Sequence, residues 1–528
     1  MIRQSEDIQY NSLHTKPFIA YLRDPYLWVI VLGQIALNIG FMARRTLWLD
    51  EAYSALMARR SIPDIHSALR FDAGPPLYYD LLHVWRMMVG ESELALRSLS
   101  LLFSVCAVIV IYYCAARFWN RHAALLSACL FAFTPLTTAY VHEVRNYTLL
   151  AALSVVLVLF LMEHLAQPRR CSAVLCGVFG LAVVYTHNLG WFLMPGVLLC
   201  SWLYTKKGKD LIGLLVCGAA ALVLYAPWIP TLLAQMRNSE RSIAWAANFW
   251  SPWSLVHTFS AYIPGGMTPS YLDLPSFPHW LQAINALMWI TIFTLACIAA
   301  YRKRDRKVAL VLIILVSGLF GPYIYSLIKT PIYLAGRTDY GLLPFWCLIT
   351  GYGISRLPWR RAQFCLAIVF LLQAGCINYE LLMRDDPLSE RDIIVYLQRN
   401  TQPGDIILCT GLTRPPLEYA LDKQGLTFES YPRDMTKHLA HLNEAWYMEN
   451  CDLNKEAESV LTDICHNLPD GASIWVAASR RPVNRALLTL IKQERMVNLV
   501  KRISTPSMGL RKLNEPVFLV KLGGLIKG

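Results

Sequence analysis

Long runs of apolar residues recur along most of this chain, and they constrain its fold more than any other feature. Of the 528 residues, 55% are hydrophobic and only 16% are charged, whereas a soluble domain carries about 25% charged residues. Several runs approach the roughly 20 residues that a membrane-spanning helix needs. The sequence therefore predicts a polytopic α-helical membrane protein and excludes a soluble enzyme with a single anchor.

The apolar runs predict about eleven membrane spans, at residues 26–43, 94–115, 122–141, 147–165, 172–187, 189–204, 211–230, 280–300, 308–328, 338–356 and 362–380. Basic clusters lie between these spans. Five of them fall on one side of the membrane under this count, at residues 117–121, 169–170, 206–209, 302–307 and 356–361. Because basic loops mark the cytoplasmic side, we predict that the N-terminus lies inside and the C-terminus outside.

The net charge of +13 also distinguishes two parts of the chain. Residues 1–384 contain 31 basic and 18 acidic residues, whereas residues 385–528 contain 18 of each. A nucleic-acid-binding protein would show its basic residues as a stripe on a soluble face. Here they lie between apolar segments, so we predict membrane lipids and no nucleic acid as partners.

We predict two domains, a transmembrane domain at residues 1–384 with functional outer loops and an extracytoplasmic α/β domain at residues 385–528. In the second domain, Ser389 is the predicted cap of a helix that ends near Asn400. Strands are predicted at residues 406–409, 473–477 and 517–520. No G-x-G-x-x-G sequence follows a strand there, so a nucleotide site is not supported.

An acidic pair, Asp50 and Glu51, follows the first predicted span. Carboxylates are unfavourable beside hydrocarbon, so a pair at this depth is a candidate functional site. One interpretation is a general base that takes a proton from an acceptor hydroxyl or amine. The other is a polar turn or a helix N-terminus, where acids are favoured.

The first outer loop contains further candidate contacts, namely Asp72, Tyr78 and His83. Glu93 and Arg97 then lie four residues apart at the start of the second span. For these two residues we predict an ion pair within one helix.

Other charged residues also fall on the predicted outer side. Glu143 and Arg145 occupy a short turn between two spans. One interpretation is that Glu143 is a substrate-site acid and Arg145 a phosphate ligand. The other is an ion pair between them that closes the turn. Arg337 begins the tenth span and Lys329 ends the ninth. The planar guanidinium of arginine matches the oxygens of a phosphate, so Arg337 is a candidate phosphate ligand. The alternative is that its side chain only extends to the lipid headgroups.

A metal site has weaker support in the sequence. His187 and His257 are candidate ligands, but neither lies at a spacing typical of metal sites. We therefore predict no cofactor and keep a divalent metal as the less favoured alternative.

The order of these motifs resembles that of a known family. The segments LWLDEAYSALMA, DAGPPLYYDLLHVW, ESELALRSLSLLF, HEVRNYTLLAAL and GRTDYGLLP are similar to those of the glycosyltransferase C superfamily, in its protein-O-mannosyltransferase-like group, which includes the lipid A aminoarabinose transferases. The resemblance extends over about residues 20–380. It implies transfer of a sugar from a polyprenyl-phosphate donor on the non-cytoplasmic side.

The resemblance also implies roles for individual residues. Asp50 matches the site carboxylate, with Glu51 beside it. Glu143 matches the acid of the second loop, and Arg145 matches its basic residue. Arg337, with Lys329 as a further candidate, is expected near the donor phosphate. A metal-independent displacement that inverts the sugar is the expected chemistry.

Several alternatives remain open from the sequence. A transporter of lipid or polyprenyl phosphate would also present basic groups to the membrane, although it would favour charges or broken helices at the midplane. A non-catalytic membrane assembly subunit is a further alternative. The acceptor is a lipid, a glycan or a protein, and the bacterial inner membrane is the expected location.

Overall fold

The computed structural model describes residues 17–72, 74–237, 244–384, 390–410, 413–433, 444–479, 482–493, 497–501 and 517–522. Helices dominate this part of the chain. Up to Met383 they are α1 (Phe18–Leu22), α2 (Pro25–Ile39), α3 (Leu49–Ala58), α4 (Ile62–Ala68), α5 (Leu77–Val89), α6 (Glu93–Phe118), α7 (Arg121–Phe133), α8 (Pro135–Val141), α9 (Tyr147–Ala166), α10 (Arg170–Thr186), α11 (Met194–Tyr204), α12 (Gly208–Tyr225), α13 (Ile229–Arg237), α14 (Ser254–Tyr262), α15 (His279–Arg302), α16 (Arg306–Ile328), α17 (Leu343–Ser355) and α18 (Arg360–Met383).

Within the described residues, six helical segments are long and apolar enough to span a membrane, which makes the chain an integral membrane protein as the sequence predicts. They are α6, α9, α15, α16, α18 and the continuous pair α12–α13. Helices α7 and α8 form a seventh candidate that bends by 56°, because Pro135 begins α8 and cannot continue the hydrogen bonds of α7. The count of eleven spans stays a prediction, since α2, α10 and α17 are shorter.

The core of the helical part lies around α17, which is buried from Leu343 to Ile354. Close packing against α7 depends on a small residue. A Cβ atom at Gly351 would lie 2.2 Å from Oγ of Ser127, so a larger residue at this position would force the two helices apart. Small residues at such contacts are typical of helices that pack inside a membrane.

A small mixed sheet follows the last long helix. Its strands are β1 (Ile406–Thr410), β2 (Thr427–Tyr431), β3 (Ile474–Ser479), β4 (Val497–Lys501) and β5 (Val517–Leu522), in the order β2-β1-β3-β5-β4. Strand β1 is parallel to β2 and β3, whereas β5 is antiparallel to β3 and β4. The surrounding helices are α19 (Glu390–Asn400), α20 (Arg414–Leu421), α21 (Glu444–Asn450), α22 (Leu453–His466) and α23 (Arg485–Gln493).

This sheet contains all three of the predicted strands and two that were not predicted. Ser389 lies outside the described residues, so its predicted role as a helix cap is untested. The domain boundary between residues 384 and 385 also stays a prediction.

Helix α20 of the C-terminal part contacts the end of α3, the helix that begins with the acidic pair. The hydroxyl of Tyr419 donates a hydrogen bond to the carbonyl oxygen of Glu91. Arg59 forms ion pairs with Glu91 at 2.8 Å and with Asp422 at 3.2 Å. Its guanidinium carbon also lies 5.1 Å from the centroid of the Tyr419 ring. These contacts join the C-terminal part to the helix that positions Asp50 and Glu51.

The Tyr419→Ala substitution would remove both the ring beside Arg59 and the hydrogen bond to Glu91. We expect the free energy of unfolding to fall by about 2 kcal/mol, within the usual range for the loss of a packed side chain, and proteolytic release of the C-terminal part to become faster. Tyr301→Ala is the matched control, because Tyr301 is 85% exposed. Equal rates of release for the two variants would contradict the expected contact.

Candidate active site

The first turn of α3 contains both residues of the acidic pair. All ten residues of this helix are buried, including Asp50 and Glu51. The free N–H groups at a helix N-terminus carry partial positive charge, which stabilises carboxylates there. The structure therefore places the pair at a helix N-terminus and also inside the protein.

Glu51 is held by four hydrogen bonds from three segments of the chain. Its carboxylate accepts hydrogen bonds from Nε and Nη2 of Arg97 at 2.8 and 2.6 Å. It also accepts from the backbone N–H of Val144 at 3.0 Å and, as a capping residue, from that of Trp48 at 3.3 Å. Glu51 is 1% exposed and Arg97 is 2% exposed, so this ion pair is shielded from water.

The predicted ion pair between Glu93 and Arg97 is therefore wrong, because Arg97 points to Glu51 and to the chain that precedes α3. Its Nη1 donates to the carbonyl oxygens of Met42 and Arg45, at 2.5 and 2.8 Å. Nη2 also donates to the carbonyl oxygen of Thr46 at 3.2 Å. A buried guanidinium needs several acceptors, and a partner one turn away on the helix surface supplies only one.

Asp50 lies beside the guanidinium of Arg337. Nη2 of Arg337 donates to Oδ2 of Asp50 at 2.5 Å, and Nε donates to the hydroxyl of Tyr147 at 2.8 Å. The guanidinium carbon is 5.8 Å from the centroids of both the Trp48 and the Tyr147 rings. The structure thus brings together Asp50 and Arg337, which the sequence placed in separate outer loops.

Backbone geometry fixes the loop that carries Arg337. Gly336 has a φ of 74°, a conformation that L-residues with a side chain rarely adopt. A Cβ atom there would lie 2.5 Å from Cδ1 of Leu272 and 3.0 Å from Cβ of Ala261. Only glycine fits this turn without displacing its neighbours.

Tyrosine hydroxyls from other segments hold the same loop through its carbonyl oxygens. Tyr140 donates to Gly336 at 2.8 Å, Tyr271 to Ala335 at 2.6 Å and Tyr262 to Asp339 at 2.7 Å. These bonds leave the loop little freedom to move, so Arg337 is held in a fixed orientation.

Side chains at residues 258, 333 and 339 form a further hydrogen-bonded group. Oδ2 of Asp339 accepts from the hydroxyl of Tyr333 at 3.0 Å and from that of Thr258. All three residues are buried. This group joins α14 to the end of the loop that carries Arg337.

Arg145 lies next to the same site. Its guanidinium carbon is 6.0 Å from the centroid of the Tyr147 ring, and it interacts through space with Tyr79, Asp50 and Asp72. Its Nε is buried and has no hydrogen-bond partner among the described residues. The site therefore contains a second guanidinium with an unused buried donor.

Three further residues that the sequence indicated, Asp72, Tyr78 and Glu143, interact with the residues around Arg145. Asp72 accepts from the hydroxyl of Tyr79 at 3.3 Å, and Tyr78 is buried nearby with an electrostatic interaction with Arg145. Glu143 interacts electrostatically with Tyr78. Asp72 and Tyr78 therefore lie close enough to Arg145 to interact with its charge.

His83 and Lys329 lie elsewhere. Nδ1 of His83 is 2.9 Å from the carbonyl oxygen of Ala58, at the opposite end of α3 from Asp50. Lys329 is exposed at the end of α16, and no hydrogen bond or ion pair joins it to the described site residues. Its predicted role at the donor phosphate stays a prediction.

Of the two candidate metal ligands, His257 lies in α14. His187 lies near the centre, with its ring 6.3 Å from that of Tyr147, and its Nδ1 accepts from the backbone N–H of Leu189. Across the part of the chain that the structure describes, no group of three His, Cys, Asp or Glu residues is arranged to hold a metal ion.

The sequence did not identify several residues that shape the site. Tyr147 bridges the two guanidiniums, although it lies in the HEVRNY segment whose charged residues were singled out. Tyr262 and Tyr271 lie between α13 and α15, where the sequence indicated only His257 as a candidate. A hydroxyl that binds a distant carbonyl oxygen leaves no pattern in the sequence.

Comparisons with known proteins agree with the resemblance drawn from the motifs. The model of the family described as dolichyl-phosphate-mannose-protein mannosyltransferase matches residues 73–230. No curated protein matches the chain by sequence. The resemblance to the protein-O-mannosyltransferase-like group is confirmed over these residues.

The fold is shared with solved structures over nearly the whole chain. ArnT from Cupriavidus metallidurans bound to undecaprenyl phosphate matches with a TM-score of 0.58 at 13% identity, over 94% of this chain and 98% of that one. Its apo state gives a TM-score of 0.57, also at 13% identity, over 94% and 97%. An oligosaccharyltransferase from Archaeoglobus fulgidus, tethered with an acceptor peptide, gives 0.50 at 10% identity, over 87% and 69%. At these identities the likeness shows the fold alone.

The Glu51→Gln and Arg97→Met substitutions would each leave a buried group without its partner charge. We expect each to lower the free energy of unfolding by about 3–5 kcal/mol, measured by thermal unfolding of the purified protein in detergent. Glu380→Gln is the matched control, because its ion pair with Arg384 has side chains that are 55% and 34% exposed. Exposed pairs contribute about 0–1 kcal/mol, so similar shifts for Glu51→Gln and Glu380→Gln would contradict the structural importance of the buried pair.

Proposed function

We propose that this protein transfers a sugar from a polyprenyl-phosphate-linked donor to an acceptor on the extracytoplasmic side of the membrane. The observation that carries the proposal is the buried centre in which Asp50 meets Arg337, with Arg145 beside it. One carboxylate and two guanidiniums are the groups that a proton acceptor and a phosphate-binding site require.

The balance of charge at this centre favours an anionic ligand. Arg337 pairs with Asp50 at 2.5 Å, whereas no described carboxylate lies within ion-pair distance of Arg145. A buried charge without a partner is unfavourable. The phosphodiester of a lipid-linked sugar has one negative charge, and its oxygens would accept from the unused Nε of Arg145 and from the fork of Arg337.

The proposed reaction is a single displacement. The acceptor oxygen or nitrogen attacks the anomeric carbon, and the bond between that carbon and the phosphate oxygen breaks. The acceptor proton goes to Asp50, and the bonding electrons leave with the lipid phosphate. Attack from the face opposite the leaving group inverts the configuration of the anomeric carbon. Arg337 and Arg145 stabilise the charge that develops on the phosphate.

Glu51 has a different place in this proposal. Both of its oxygens are engaged by Arg97 and by backbone N–H groups, so it positions the first turn of α3 while Asp50 faces the reaction. Asp72 and Tyr79 line the side of the centre nearest Arg145 and would meet the sugar or the acceptor. We propose that Glu143 is an acid near the bound substrate.

The compared proteins support this kind of donor. The description of the matched family names dolichyl-phosphate-mannose, and the ArnT structure contains undecaprenyl phosphate. We propose that the present chain uses a donor of the same chemical class and that it lies in a bacterial inner membrane with its N-terminus inside and its C-terminus outside. The acceptor is a lipid, a glycan or a protein.

The Asp50→Asn substitution would keep a side chain that can accept from Arg337 but cannot take a proton. We expect the rate of sugar transfer, measured on the fraction of the purified variant that is folded, to fall by at least about 100-fold, the lower range for loss of a general base. Asp64→Asn in the same outer loop is the control, because Asp64 is exposed. Transfer within about threefold of the unaltered protein would exclude Asp50 as the base. Undiminished transport of polyprenyl phosphate, without any sugar transfer, would favour a transporter.

The Arg145→Met substitution would remove the guanidinium that lacks an ion-pair partner. We expect inhibition by the product polyprenyl phosphate to weaken at least about tenfold, since a charged hydrogen bond contributes about 1.5–3 kcal/mol. The measurement is the inhibition constant against transfer. Arg121→Met is the control, because Arg121 pairs with Asp24 near the end of α6 that is remote from the site. An unchanged inhibition constant for Arg145→Met would remove this residue from the donor site.

We propose that the two guanidiniums supply the positive charge that a metal ion would bring to the phosphate. Transfer by the purified protein is then expected to be unchanged by excess EDTA. Loss of transfer in EDTA, with recovery on addition of a divalent cation, would contradict this part of the proposal and support the metal alternative.

A further inference from the structure

A cavity of about 340 Å³ lies at the other end of the helical part, between the end of α9 and the connection from α11 to α12. Helix α9 begins at Tyr147, which contacts Arg337, and ends at Ala166, which lines the cavity. Twenty residues of α-helix span about 30 Å. The cavity and the candidate active site are therefore separated by about the thickness of a membrane.

The lining of this cavity is strongly basic. Lys206, Lys207 and Lys209 line it and are exposed, and Asp210 is the one carboxylate among the described lining residues. None of the three ammonium groups forms an ion pair with a carboxylate in the part of the chain that the structure describes. Three like charges within four residues repel one another, and an anion between them would relieve that repulsion.

An uncharged donor also lies in the wall of the cavity. Oγ1 of Thr205 is buried and has no hydrogen-bond partner among the described residues, and Thr205 is part of the lining. Helix α12 begins at Gly208, and no side chain caps its N-terminus. The N–H of Asp210 donates to the carbonyl oxygen of Lys207. The N–H groups of Gly208 and Lys209 and the hydroxyl of Thr205 therefore remain as donors for an oxygen-rich anion.

A buried histidine fixes the wall of the cavity. Nδ1 of His164 lies 3.0 Å from Oγ of Ser172, and Nε2 lies 3.3 Å from the carbonyl oxygen of Asp210. His164 is 3% exposed. These bonds connect α9, α10 and α12, so the cavity is formed before any ligand enters.

We propose that this cavity binds the phosphate headgroup of an anionic membrane phospholipid. Trp202 and Leu203 before the lysines and Ile212 after them are exposed apolar residues at the adjoining helix ends. Such residues would contact acyl chains while the lysines and Thr205 hold the phosphate. Free phosphate would meet the same donors but would leave this apolar surface without a partner, so the observations favour the lipid.

The test uses the full chain purified in detergent. Binding of phosphatidylglycerol is measured by native mass spectrometry and by the shift in thermal unfolding, with phosphatidylcholine and inorganic phosphate as the other two probes. We expect the affinity for phosphatidylglycerol to fall at least about tenfold in the Lys206→Ala, Lys207→Ala, Lys209→Ala triple variant, because a lysine at an anionic headgroup contributes about fivefold.

The matched control is the Lys303→Ala, Arg360→Ala, Arg361→Ala triple variant. It loses the same charge from exposed positions on the same end of the helical part, but outside the cavity. We expect this variant to keep the affinity of the unaltered protein. Equal loss in both triple variants would overturn the site and indicate general attraction of charge.

Thr205→Val provides a second test that does not depend on charge. We expect it to weaken phosphatidylglycerol binding about tenfold, as for a lost hydrogen bond to a charged group, without lowering the unfolding temperature in the absence of lipid. Unchanged binding in this variant and in the lysine variant would overturn the proposal. Equal binding of phosphatidylcholine would also overturn it, and equal protection by inorganic phosphate would overturn the assignment to a lipid.

Discussion

The buried ion pair between Glu51 and Arg97 is the interaction on which the candidate active site depends. Neither charge is tolerated in this position without the other. The pair can therefore form only when the start of α3, helix α6, the carbonyl oxygens of residues 42–46 and the turn at Val144 have come together. Because Asp50 precedes Glu51 in the same helical turn, this packing also sets where Asp50 meets Arg337.

Two adjacent carboxylates thus have different environments. Glu51 accepts from Arg97 and from two backbone N–H groups, all supplied by the protein. Asp50 faces a guanidinium that also contacts Tyr147 and lies near Arg145. Glu51 therefore has a structural role in the helix, whereas Asp50 is the carboxylate that can accept a proton. This difference follows from their surroundings and not from their positions in the sequence.

The sequence predicted the helices better than the contacts between their side chains. Hydrophobic runs predicted each of the six long apolar helical segments in the described residues. Asp50 and Arg337 meet although 287 positions separate them. Arg97 was assigned to Glu93 because local sequence can indicate only those partners that lie three or four residues away in the same helix. Such pairs contribute only about 0.2–0.5 kcal/mol, far less than the roughly 3–5 kcal/mol that removal of one partner of a buried pair costs. Strand β2 was missed because Thr427–Tyr431 mixes polar and apolar residues.

Helix α9 joins the active-site centre to the basic cavity, but a shared rigid helix does not by itself couple two sites. Coupling requires an element with two arrangements that both ligands favour unequally, and α9 is a continuous helix whose ends are fixed by Tyr147 and His164. A ligand that binds only the folded protein stabilises it by mass action. Lipid in the cavity would therefore stabilise the helices that carry the candidate active site, while the proposed chemistry stays with Asp50 and the two guanidiniums.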